Sequence, residues 1–83
     1  MNPQEILKRE FLRVVENQLR EGIPPETRQT LLRLQQEGYS EEEAKLLIAQ
    51  CVAAEMMAVM ESNQPFNAER FRSCLDRLPE SPE

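Results

Sequence analysis

Gly38-Tyr39-Ser40-Glu41-Glu42-Glu43-Ala44, running on into KLLIAQCVAAEMMAVME over residues 45–61, holds a helix stop, a helix start and the most apolar segment of the chain. Gly38 can take the left-handed conformation that closes a preceding helix, and Tyr39 stands where a residue folds back onto the helix it follows. Ser40 can cap the next helix while Glu43, three residues on, reaches back to the Ser40 N–H; three successive glutamates favour the positive end of the helix dipole. The stretch therefore predicts a tight corner between two helices, the second running from Glu41 to about Glu61.

Toward the N-terminus, Asn2-Pro3 is a helix-start signal, with Asn2 as the cap and Pro3 suited to the first helical position. Leu7, Phe11, Val14, Val15 and Leu19 recur at three- and four-residue spacing as one amphipathic stripe. Gly22 and Pro24-Pro25 end this helix, predicted over 3–21, and a second helix over about 25–37 carries Leu31, Leu32 and Leu34. Toward the C-terminus, Ser62-Asn63-Gln64-Pro65 breaks the long helix and Asn67 caps a last one over about 68–78. Phe66 before that cap and Phe71 at the fourth helical position have the spacing of a hydrophobic staple. Phe71, Cys74, Leu75 and Leu78 form the inward stripe. With no alternating strand pattern and no repeat, the expectation is an all-α, small four-helix domain over 1–79, followed by a short charged tail, 80–83, expected to be disordered.

Helix 3 decides the functional reading. At 100° per residue, Ala44, Leu47, Ile48, Cys51, Ala58 and Val59 make one apolar sector, and Leu46, Ala49, Ala53, Met56, Met57 and Met60 make another. A helix that is apolar on nearly all sides must be covered on nearly all sides, so the second sector is a candidate interface. Its Met and Ala residues suit close, adaptable packing. The alternative is a monomer whose helix 3 is wrapped by helices 1, 2 and 4. Glu55 projects into the middle of the first sector, where a charge is costly unless paired; the candidate partners are Arg70, Arg72 and Arg77 of helix 4 and Arg13 of helix 1.

Composition narrows the function classes. The 83 residues carry 10 basic and 15 acidic side chains, no His, and a net charge of −5, which opposes binding to phosphate backbones. Three glutamates at the start of helix 3 also argue against a DNA-reading helix-turn-helix. Without His or a close-spaced ligand pair, no metal site is expected, and with only two glycines, both used at helix ends, no phosphate-binding loop and no cofactor is expected. Cys51 and Cys74 are too few for the disulfide framework of a secreted mini-protein, and no apolar leader or membrane-spanning run is present, so the expected location is cytoplasmic. The two cysteines are read as small buried hydrophobes rather than as a redox pair.

Pro25-Glu26-Thr27-Arg28, the corner from Gly38 to Ala44, the long apolar helix from Leu46 to Met60 and Pro65-Phe66-Asn67 occur in an order that resembles small helical bacterial domains of unassigned function. The resemblance spans roughly Pro24 to Pro79 and implies no catalytic residues. The expected function is a non-enzymatic protein–protein interaction module or accessory subunit, self-associating as a homodimer through helix 3. A monomeric regulatory adaptor that offers its Met-rich face to a different protein is the alternative, and an enzyme using Glu55 on a small ligand is a third reading.

Overall fold

In the computed structural model, which describes residues 3–80, four helices follow one another: α1 (Pro3–Glu21), α2 (Pro25–Gln36), α3 (Glu41–Ser62) and α4 (Ala68–Arg77). No strand occurs among the described residues. The Asn2 cap and tail residues 81–83 lie outside them. The one tail residue inside, Glu80, donates its backbone N–H to the Arg77 carbonyl at 2.9 Å.

The corners form as local chemistry dictates. Gly38 takes φ +108°, Tyr39 N–H returns to the Leu34 carbonyl and Gly38 N–H to the Gln35 carbonyl, the paired bonds that satisfy the last carbonyls of a helix. Tyr39 folds back against the core. One residue later the reciprocal capping box is complete, with Glu43 N–H donating to Ser40 Oγ at 3.0 Å and Ser40 N–H donating to the Glu43 carboxylate at 2.9 Å. At α4, Asn67 accepts the Arg70 N–H at 2.9 Å, and the Phe66 and Phe71 rings meet with centroids 5.6 Å apart.

α3 is the hub, with α1, α2 and α4 all packed against it. The buried core joins Val15 of α1, Leu34 of α2, Ala44, Ile48, Ala49, Cys51 and Val52 of α3, and Phe71, Cys74, Leu75 and Leu78 at α4. Two stripes differ from the sequence expectation. In α1, Phe11, Leu12, Val15 and Leu19 face inward, whereas Leu7 and Val14 remain exposed. In α2 the inner face is Thr27, Thr30, Leu31 and Leu34, a helical i, i+3, i+4, i+7 set, and Leu32 points outward. The three leucines cannot share one face because Leu32 lies about 160° round the helix from Leu34. Thr27 is tolerated there because its Oγ1 donates to Gln18 Oε1 at 2.8 Å.

The Ser40 box satisfies backbone donors at the start of α3, so Ser40→Ala is expected to lower stability by about 1 kcal/mol without changing helical content. Thermal unfolding followed by circular dichroism should show the midpoint fall by about 4–8 °C for a domain of this size.

Candidate functional site

Two features of α3 combine exposure or chemistry with defined geometry: the joint with α4 around Glu55 and the apolar face around Ala53.

Glu55 is 2% exposed. Its Oε1 accepts from Arg70 Nε at 2.7 Å, and its Oε2 accepts from Arg70 Nη2 at 2.7 Å and from the Asn67 backbone N–H at 2.8 Å. Of the four arginines considered from sequence, Arg70 is the partner. Arg13 faces Glu10 on the surface at 3.6 Å, Arg72 is exposed, and Arg77 lies nearby without an ion-pair partner among the described residues. The fork of Arg70 matches the carboxylate edge to edge, and the third bond satisfies a backbone donor at the start of α4. The Arg70 hydrogen bonds, aided by the Asn67 N–H and opposed by burial, hold the Glu55 carboxyl below the usual carboxylate range. A general acid needs the opposite shift, and both oxygens are already engaged in hydrogen bonds.

Two further elements of this joint were not read from sequence. Arg33 of α2 donates Nη1 to the Leu78 carbonyl at 3.1 Å and Nη2 to the Leu75 carbonyl at 3.0 Å, while Nη1 also pairs with Glu37 at 2.8 Å. It thus supplies the positive charge that suits a helix C-terminus, across a separation of more than 40 residues that no local signal reveals. The cysteines are a correction. Cys51 and Cys74 are buried as expected, but they are bonded to each other with Cα atoms 5.7 Å apart. Both had been placed on inner helix faces; that the two faces meet at the same level follows only from the packing of α4 on α3.

On the opposite side of α3, the six candidate interface residues separate into two groups. Ala49 is buried, and Leu46 and Ala53 are half-buried beside α1; Met56, Met57 and Met60 are exposed, Met60 to 81%. Leu7, Lys8 and Phe11 of α1 and Leu46, Ala49, Gln50 and Ala53 of α3 line an open groove of about 410 Å³. Met56, Met57 and Met60 follow this lining along α3 and are not part of it. Among the described residues, no group of three or more His, Cys, Asp or Glu side chains is arranged to hold a metal ion, and no helix is long and apolar enough to cross a membrane.

Glu55 makes the α3–α4 joint sensitive to acid. Its folded-state pKa lies below the unfolded value of about 4.3, so its contribution is complete above that pH and is lost as pH falls through the folded value. Glu55→Gln keeps the shape but loses the charged bonds, and is expected to cost about 1.5–3 kcal/mol at neutral pH. Urea unfolding between neutral pH and pH 3 should show a shallower loss of stability in the variant; parallel curves would exclude Glu55 as the group responsible. The Glu43 carboxyl is also lowered by its bonds to Ser40 and adds in the same direction.

Compared with protein-family models, with curated proteins and with solved structures, the chain matches none.

Proposed function

We propose that this chain is a non-enzymatic interaction module that self-associates as a homodimer through the open face of α3, as an accessory component in a bacterial cytoplasm. The observation that carries the reading is a groove and a set of protruding side chains on one helix face. Leu46, Ala49 and Ala53 form the floor of the groove with Leu7 and Phe11 as its wall, and Met57 and Met60 stand exposed beyond its end.

A face of this kind is self-complementary only under an antiparallel two-fold axis, the arrangement of the commonest soluble oligomers. With Ala53 at the axis, Met60 of one protomer lies over Leu46 of its partner and Met57 over Ala49. The small residues allow the helices to approach closely, and the flexible thioether chains fill an irregular groove. Charge agrees with this register: the groove carries Lys8 at its rim, whereas the last turn of α3 holds Glu61 and no basic residue. The axis therefore brings Glu61 of each protomer toward Lys8 of the other.

Sedimentation equilibrium with reductant present is expected to give the mass of two chains, and Met57→Glu combined with Met60→Glu is expected to give a monomer of unchanged helical content. Glu61→Lys should weaken association, with Lys8→Glu in the same chain restoring it. A wild-type protein that stays monomeric to high concentration would overturn the homodimer and leave the Met face to a different protein.

A further inference from the structure

We propose that the Cys51–Cys74 pair is a reversible thiol–disulfide exchange site that reacts with small anionic thiols at Cys74. The proposal stands apart from self-association, since it concerns the other side of α3.

Both sulfur-bearing residues line a cavity of about 190 Å³ together with Glu55, Arg70 and Arg77. A crosslink sealed in the core has no such opening. The two residues are not equally exposed: Cys51 is 0% exposed and Cys74 is 7% exposed. An incoming thiolate therefore meets Cys74 Sγ first. The charges around the cavity favour an anion, because Arg70 is already matched by the Glu55 carboxylate while Arg77, one turn beyond Cys74, has no ion-pair partner among the described residues. In a chain whose net charge is −5, this leaves a local positive centre beside a disulfide, the setting in which thiolates are stabilised.

The step balances without any further reagent. A thiolate RS⁻ attacks Cys74 Sγ and forms the S–S bond of a mixed disulfide; the Cys51–Cys74 bond breaks and its electron pair leaves on Cys51 Sγ, which takes a proton from water. A second RS⁻ attacks the R sulfur of the mixed disulfide, releasing Cys74 as a thiolate and forming RSSR. Two electrons and one proton pass to the protein, leaving Cys51 as a thiol and Cys74 as a thiolate, and two thiolates are oxidised to RSSR. Oxidised RSSR runs the same sequence backward.

The rest of the joint makes the reaction reversible. The Arg70 fork on Glu55, the Asn67 N–H on the same carboxylate and the Arg33 bonds to the Leu75 and Leu78 carbonyls hold α4 at both ends. Phe71 and Leu75 remain buried between those ends. Opening the S–S bond thus leaves the two sulfurs facing each other, ready to close again. Such chemistry suits a reducing compartment, where protein disulfides are transient and redox-sensing rather than structural.

The test uses the full-length oxidised protein without denaturant, treated with glutathione or with neutral β-mercaptoethanol, quenched with iodoacetamide and counted by mass. Two alkylated thiols are expected to appear faster than the protein unfolds globally, as measured by denaturant jump, and oxidised glutathione is expected to restore the bond. Arg77→Glu is expected to slow the glutathione reaction about five-fold, a local electrostatic effect of order 1 kcal/mol, and to slow the β-mercaptoethanol reaction less, because its thiolate carries one negative charge where that of glutathione carries two. In Cys51→Ser, oxidised glutathione should trap a mixed disulfide on Cys74. Thiols released no faster than global unfolding would make the crosslink purely structural and overturn the proposal, as would an equal effect of Arg77→Glu on both reagents; the wild-type rates decide the question even where a variant fails to fold.

Discussion

A 22-residue helix with no wide polar face has to find cover in a chain only 83 residues long, and every other element is placed by that requirement. Small domains bury only about 60% of the surface their unfolded chains expose. Here α1, α2 and α4 reach Ala44, Ile48, Cys51 and Val52 completely, but they do not reach Met57 or Met60. The tight corner at Gly38–Ser40 and the short linker at 22–24 keep the flanking helices near the N-terminal half of α3. Its C-terminal Met side extends past them.

The one charged residue within the covered face of α3 has become the attachment point for α4. A buried carboxylate is destabilising by several kcal/mol when it stands alone, and at Glu55 three donors offset that cost. Two of them come from a single arginine and the third is a backbone N–H that the start of a helix leaves without a partner. Desolvation and helix capping are thus solved by the same contact. α4, with 10 residues, is below the length at which an isolated helix is stable in water, so its formation depends on this contact, on Arg33 at its other end and on the apolar stripe between them.

What could be read from sequence was the chemistry that acts within about five residues. The Gly38 stop, the Ser40–Glu43 box, the Asn67 cap, the Phe66–Phe71 staple and the Phe71–Leu78 stripe are all set by near neighbours, and the four helices follow from them. Facing was less legible. Leu7, Val14 and Leu32 are apolar but exposed, whereas Thr27 and Thr30 are buried, because the rotation of α1 and α2 about their axes is fixed by what α3 presents to them. Glu55 could be recognised as a residue in need of an arginine, and four candidates were named; choosing Arg70 required the angle between α3 and α4. Arg33 gave no signal, since a carbonyl acceptor leaves no mark on the residue that carries it. Cys51 and Cys74 gave burial but not bonding, because only the packing of α4 on α3 brings their faces to the same level.

The Met face and the Cys51–Cys74 pair proposed to be functional lie on opposite sides of α3, and this follows from helix geometry alone. Met60 is nine residues beyond Cys51, so at 100° per residue the two side chains project about 180° apart. α4 occupies the cysteine side and leaves only a small, charged opening; the Met side is left to the incomplete wall formed by α1. A partner seated on the methionines therefore need not touch the disulfide, and a small thiol at Cys74 need not disturb that partner. Coupling between them would have to pass through the body of α3, whose Ala49, Ala53 and Ala58 offer little side-chain bulk to displace. The helix can carry an adaptable apolar surface and a reactive crosslink because its own rigidity separates them.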